Sequence, residues 1–86
     1  MYVMPTVLRR GRLRIVIYPA DHGPAHVHAI GPDGEAVFNL NCPADPSELR
    51  ENYGFKRRGL TAVECLINGH VNELCRAWEE IHGIAQ

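Results

Sequence analysis

Three of the chain's five histidines fall within seven residues, in the stretch DHGPAHVH. His26 and His28 stand two residues apart, so on a β-strand both imidazole rings would point to the same face. His22 precedes them in a segment whose Gly and Pro predict a loop. Two or three imidazoles in this arrangement could hold Zn²⁺ or a similar ion, which makes His22, His26 and His28 the candidate metal ligands.

The same histidines are open to two other interpretations. His26 and His28 could act as acid and base on a phosphodiester. Arg10, Arg12 or Arg14 of the neighbouring predicted strand would then stabilise the charge. His70 could add a ring if its predicted helix covers the same sheet face. The chain has no Gly-rich phosphate loop, carboxylate pair or nucleophile motif. The spacing therefore favours a structural cluster of hydrogen-bonded histidines, in which Asp21, itself a candidate ligand, instead caps the turn.

Basic residues are concentrated in two short segments, although the net charge of the chain is −1. The first segment contributes Arg10, Arg12 and Arg14, and the second contributes Lys56, Arg57 and Arg58. The arginines alternate along a predicted strand, so they are expected to project from one side of it. If the two segments meet in space they form a surface that could follow a phosphate backbone. Few aromatic residues lie beside them to stack on bases, so a solvated or protein-facing surface is favoured over nucleic acid.

The size and composition of the chain predict one small domain over residues 1–86. It has 86 residues, 45% of them hydrophobic, which is enough for a single core. There is no apolar run long enough to span a bilayer, and the N-terminal MYVMPTVLRR lacks the pattern of a signal peptide. Three widely spaced cysteines do not suggest a disulfide framework, so Cys65 and Cys75 are expected to be buried in a helix. These features favour a cytoplasmic protein without a membrane partner.

Apolar alternation predicts three strands, at about residues 6–18, 25–30 and 35–40. The first could divide at Gly11, and GPDG predicts a hairpin turn between the other two. Capping patterns predict a short helix at about 46–53 and a long helix at about 62–82, with Trp78 on its buried stripe. Because the strands are too close in sequence for crossover connections, we expect an α+β fold. Its three-stranded antiparallel sheet would carry the long helix on one face.

Several stretches, in this order, resemble a bacterial domain-of-unknown-function family, number 4160. They are MPTVLR, DHGPAHVHA, GEAVFNL and a last helix in which His70 precedes LCRAWEEIHG. Two departures are Ala25, where the family usually has a second Pro, and the longer segment NCPADPSELRENYGFKRR. The family pattern begins at Met4, which implies a choice between Met1 and Met4 as the start. The resemblance implies no established reaction, but it implies one half of a two-gene module in the style of toxin–antitoxin loci.

We therefore expect an interaction module of a toxin–antitoxin-like pair. Its main partner would be a small protein encoded nearby, with nucleic acid as a second partner. The sheet edge and the basic segments are the expected contact surfaces. The alternative is a His- or metal-dependent nuclease-type toxin that uses His26 and His28. No cofactor is required by the sequence, and zinc is the candidate ion.

Overall fold

The computed structural model describes residues 6–43 and 45–82, which form a five-stranded sheet and two helices. The elements are β1 (Thr6–Arg10), β2 (Leu13–Val16), β3 (His26–Gly31), β4 (Gly34–Asn41), β5 (Asp45–Tyr53), α1 (Arg57–Asn68) and α2 (Val71–His82). The α+β class and the antiparallel sheet are confirmed, but the prediction of three strands is wrong. The choice between Met1 and Met4 lies outside the described residues.

Every strand pairs antiparallel with the strand that precedes it, which gives the order β1-β2-β3-β4-β5. Gly11, at φ 58°, lies in the turn that divides the first predicted strand into β1 and β2. A left-handed backbone of this kind favours glycine because it has no Cβ. Gly31 pairs with Gly34, so the hairpin predicted from GPDG is present. The second turn fixes the register between β4 and β3, which carries two of the candidate histidines.

Both helices pack against alternate side chains of the sheet. The largest members of this core are Ile15, Ile17, Phe38, Leu40, Ile67, Leu74 and Trp78. The prediction that Trp78 belongs to the core is confirmed, since its exposure is 4%. Val27 and Ala29 of β3 lie in the same core, whereas His26 and His28 have the opposite parity. The strand periodicity therefore places the two histidines on the opposite face of β3 from Val27 and Ala29, although His26, at the start of the strand, still contacts Trp78 of the core.

The segment predicted as a helix at 46–53 is instead the edge strand β5. Its pattern of Asp, Pro, Ser and Glu is typical of a helix start, but few apolar side chains follow that a helix could bury. As a strand it supplies hydrogen-bonding partners to β4, with Phe38 opposite Leu49. Pro46 is tolerated because an edge strand has N–H positions that need no partner. Tertiary pairing therefore outweighs the local capping pattern.

The long helix predicted at 62–82 is two helices. α1 begins five residues earlier, at Arg57, and it ends at Asn68, before Gly69 and His70. The backbone N–H of Gly69 donates to the carbonyl of Cys65 at 3.1 Å, and that of His70 donates to Ile67 at 2.9 Å, which completes the last turn. Glycine is a poor helix former, and here residues 69–70 form a turn between the two helices. The single predicted helix is therefore divided into α1 and α2 at Gly69 and His70.

The cysteine prediction is wrong, because Cys42 and Cys75 form a disulfide that joins the β4–β5 connection to α2. Cys75 is buried as expected, but Cys65 is a free and exposed thiol. Cysteine spacing did not indicate the pair, because two residues 33 positions apart are brought together only by the docking of α2. Within the described part of the chain, neither helix is long and apolar enough to cross a membrane.

Candidate functional site

The candidate site lies where the loop after β2 returns to the start of β3. The backbone N–H of Asp21 donates to the carbonyl of Tyr18 at 3.0 Å, which folds this part of the loop into a turn. β3 begins at His26, and its pairing places His28 between Val16 of β2 and Val37 of β4. Loop and strand together bring Asp21 against both imidazole rings.

Asp21 contacts both histidines through one carboxylate oxygen. Oδ2 of Asp21 lies 3.1 Å from Nε2 of His26 and 3.0 Å from Nε2 of His28. One potential ligand atom from each of the three residues lies within 4.8 Å of the others. The side chain of His26 is 7% exposed and that of Asp21 is 22% exposed. The cluster is therefore mostly buried, with access to solvent on the side of the carboxylate.

The outer nitrogen of each ring has a different environment. Nδ1 of His26 lies 2.9 Å from the carbonyl oxygen of Pro24, and because a carbonyl only accepts, this nitrogen must donate. Nδ1 of His28 is buried and has no hydrogen bond among the described residues. Oε2 of Glu35 is 3.4 Å from it, close enough for an electrostatic contact but without hydrogen-bond alignment. The first contact defines the tautomer of His26.

Aromatic rings from both ends of the chain enclose the cluster. Tyr18 meets His28 edge to face, with ring centroids 4.8 Å apart, and Trp78 lies 5.2 Å from His26. His82 stacks on Trp78 at 3.8 Å, and its Nε2 lies 3.2 Å from the backbone oxygen of Tyr18. The end of α2 therefore packs against the loop that carries Asp21, which restricts the orientation of both imidazoles.

Two of the predicted site histidines lie away from this cluster. His22 is exposed, and it is not among the potential ligands that converge on Asp21. His70 lies between the helices, where its Nδ1 is 2.9 Å from the backbone oxygen of Leu66. The expectation that His70 adds a ring beside His26 and His28 is not met. The third potential ligand beside His26 and His28 is Asp21. The sequence left open whether this residue is a ligand or a turn cap.

The three arginines of the first basic segment lie on a hairpin, so the expectation that they project from one side of a strand is wrong. Arg10 ends β1, Arg12 lies in the turn and Arg14 belongs to β2. Arg10 and Arg12 line a mainly apolar groove of about 660 Å³ against α1. Arg14 is opposite Ile30, on the sheet face of His28, and it donates to Oγ1 of Thr6 at 3.4 Å.

The second basic segment forms the start of α1. Lys56 is the N-cap residue without a side-chain cap, and Arg57 and Arg58 follow in a first turn that has no acidic residue. Lys56 and Arg58 line a second groove, of about 540 Å³. The two grooves share Phe55, Gly59 and Ala62. Basic side chains of both segments therefore line two adjoining grooves beside α1.

Several residues around the cluster were missed by the sequence analysis. Glu35 could have been found from the GPDG hairpin, because pairing Gly31 with Gly34 puts Glu35 opposite Ile30, diagonal to His28. His82 follows Trp78 by four residues, so the two share a helix face. Nothing in the sequence near Tyr18 indicates that its ring reaches His28, since that contact depends on the path of a loop.

The fold and the cluster define a small α+β protein with an antiparallel meander, two C-terminal helices and an Asp–His–His group at the start of its third strand. Over residues 13–79 the chain matches the family described as Domain of unknown function (DUF4160). The chain belongs to this family, and the matched range contains Asp21, His26 and His28. No curated protein and no solved structure matches the chain.

Proposed function

We propose that this protein is the interaction module of a two-gene, toxin–antitoxin-like pair and that it binds a small protein partner encoded nearby. The observation that carries the proposal is the apolar groove between the β1–β2 hairpin and α1, with Arg10 and Arg12 at its border. An exposed apolar groove beside fixed positive charges suits a partner segment that combines apolar and acidic side chains. We expect the partner protein to supply this apolar and acidic segment.

The chemistry of the groove supports this choice of partner. Its floor includes Leu13, Val63 and Leu66, and its described lining contains no acidic side chain. The adjoining groove adds Lys56 and Arg58, with Asp33 as the acidic residue. Three cations at the start of a helix oppose the positive end of its dipole, a local cost that an acidic partner would offset. Nucleic acid suits this surface less well, because the groove is mainly apolar and its described lining offers only the rings of Phe55 and His70 for stacking on bases.

The test is isothermal titration of the purified protein with the purified small protein encoded by the adjoining gene. We expect saturable binding that weakens with added salt and falls at least about tenfold in the double variant Arg10→Glu and Arg12→Glu, because repulsion replaces attraction. The matched control is the double variant Arg50→Glu and Arg76→Glu. It makes the same change in net charge at exposed positions outside the groove.

Alkylation of Cys65 locates the contact. This free thiol lines the groove, so a partner bound there should slow its reaction with iodoacetamide. Equal weakening in both charge-reversed proteins, or an unchanged alkylation rate, would count against the groove. Binding of a mixed RNA or DNA oligonucleotide that depends on Arg10 and Arg12, without binding of the protein partner, would reassign the surface to nucleic acid.

The second candidate function is a His- or metal-dependent nuclease-type toxin. The convergence of His26 and His28 on Asp21 favours it, and Arg14 shares the sheet face of His28. Arg10 and Arg12, which the sequence analysis offered as charge stabilisers, line the groove beside α1 instead. The test is cleavage of RNA or DNA. Cleavage that disappears in His28→Ala but persists in the double variant Arg10→Glu and Arg12→Glu would favour this enzyme over the interaction module.

We also propose that the protein is located in the cytoplasm. Disulfides are uncommon in reducing compartments, so the Cys42–Cys75 pair makes the location testable. Rapid alkylation of whole cells should find this pair reduced in a cytoplasmic protein. Complete oxidation would place the protein outside a reducing compartment.

A further inference from the structure

We propose that Asp21, His26 and His28 form a binding site for a divalent transition-metal ion, with Zn²⁺ as the best match. The site lies at the β2–β3 loop and the start of β3, whereas the partner groove lies between the β1–β2 hairpin and α1. The inference is therefore independent of the partner-binding function. Three observations support it: the hydrogen bond of His26 Nδ1, the buried Nδ1 of His28 that has no hydrogen bond among the described residues, and the distances between the ligand atoms.

The hydrogen bonds of His26 leave a lone pair facing a carboxylate. Its Nδ1 donates to the carbonyl of Pro24, so in the neutral ring Nε2 carries no proton. That Nε2 lies 3.1 Å from Oδ2 of Asp21, which accepts as well when the carboxylate is ionised. Two acceptors at this distance repel each other unless a cation lies between them. A metal ion satisfies both atoms and leaves the Pro24 hydrogen bond intact.

His26 also has the support expected of a metal ligand. Ligating imidazoles commonly donate their second ring N–H to a backbone carbonyl or a carboxylate, which fixes the tautomer and the direction of the ring. The carbonyl of Pro24 fills this role 2.9 Å from Nδ1. The indole ring of Trp78 also contacts the imidazole, with ring centroids 5.2 Å apart. The ring is thus held with Nε2 toward Asp21 before any ion arrives.

His28 supplies the second, independent observation. Its Nε2 is 3.0 Å from the same Asp21 oxygen, and its Nδ1 is buried without a hydrogen bond among the described residues. Metal ligation through Nε2 places the ring proton on Nδ1. Oε2 of Glu35, 3.4 Å away, is then an acceptor that a small rotation brings into alignment. The pair would become a carboxylate–histidine–metal relay.

The distances fit a zinc-type ion. Zn–N and Zn–O bonds of about 2.0–2.2 Å in a tetrahedral arrangement separate the ligand atoms by roughly 3.4 Å. Asp21 Oδ2 is 3.0 and 3.1 Å from the two Nε2 atoms, and the three ligand atoms lie within 4.8 Å of one another. Binding of the ion therefore requires the carboxylate oxygen to move back by a few tenths of an ångström and the two imidazole rings to adjust their separation toward about 3.4 Å. Two imidazoles and one carboxylate suit zinc and leave a fourth position for water or another ligand.

The test is a titration of Zn²⁺ into ¹⁵N-labelled protein from which any histidine tag has been removed. We expect one saturable site of micromolar or tighter affinity by calorimetry. In long-range ¹H–¹⁵N spectra, the Nε2 resonances of His26 and His28 should shift on binding, while those of His22 and His70 stay in place. Asp21→Asn should lower the affinity at least tenfold, and His22→Ala, the matched control at an exposed position, should leave it unchanged.

The wild-type spectra keep the test decisive even if a variant does not fold. Asp21→Asn preserves the size of the side chain, and folding of each variant is checked by its backbone amide spectrum. Absence of saturable binding, or imidazole shifts at His22 or His70 instead, would overturn the site. In that case a proton between Nε2 of His26 and Oδ2 of Asp21, and not a metal ion, would account for their separation of 3.1 Å.

Discussion

Removal of the Cys42–Cys75 disulfide should cost a large share of the stability of this protein. The bond closes a loop between residues 33 positions apart. In the chain-entropy treatment, a closed loop of this length removes about 12.5 cal/mol/K from the unfolded state, or about 4 kcal/mol near 25 °C. The total free energy of unfolding of a chain of 86 residues is typically about 4–13 kcal/mol. The cross-link is therefore comparable to the whole margin of a weakly stable domain.

Urea unfolding followed by circular dichroism measures this effect. We compare the oxidised wild type with Cys42→Ser/Cys75→Ser, and we use Cys65→Ser as the control that leaves the disulfide in place. The double variant should lose about 4 kcal/mol of unfolding free energy. A loss below about 1 kcal/mol relative to the control would refute the reasoning, because it would show that the unfolded chain gains little freedom when the bond is absent.

Three further predictions test the edge of the sheet and its neighbours. The hydrogen bond from Tyr53 to Glu51, followed by the charge of Glu51, raises the pKa of the Tyr53 phenol above its usual value. Glu51→Gln should lower that pKa in an ultraviolet titration. No change would count against β5, because side chains two apart share a face only on a strand. Asn68→Ala removes the acceptor of two 2.8 Å hydrogen bonds, from the backbone N–H and the hydroxyl of the buried Ser47. It should cost about 1–3 kcal/mol in urea unfolding, and an unchanged midpoint would contradict this role. Gly34→Ala would place a Cβ 2.6 Å from the backbone oxygen of Tyr53, which should destabilise the protein by about 1–3 kcal/mol; a neutral result would mean that the two segments lie farther apart.

The parts of the fold that follow from local sequence were predictable. The GPDG segment predicted a tight turn between two alternating segments, and the structure has the Gly31–Gly34 hairpin there, although neither glycine has a positive φ. The buried stripe of Val63, Ile67, Leu74 and Trp78 was visible as helical periodicity. The placement of His26 and His28 on one strand likewise followed from their spacing. In each case the signal lies within a few residues of the feature it specifies.

The wrong predictions concern features that depend on distant residues. Residues 45–53 have a local pattern that fits a helix start, and only their pairing with β4 makes them a strand. The break at Gly69 divides a stretch whose apolar periodicity continues on both sides, so periodicity alone did not indicate it. Cys42 finds Cys75 because α2 docks beside the β4–β5 connection. The contact of Asp21 with both rings depends on how a loop folds back, which spacing alone does not specify.

The meander also has a consequence for folding kinetics. Each strand pairs with its predecessor, so the sheet can assemble hairpin by hairpin with short loop closures, a topology associated with rapid folding. The contact between Trp78 and His26 closes a much longer loop and can form only when α2 docks. Asp21, His26 and His28, by contrast, lie within eight consecutive positions. These three side chains can therefore come together as soon as β2 and β3 pair, while the helices are still unattached.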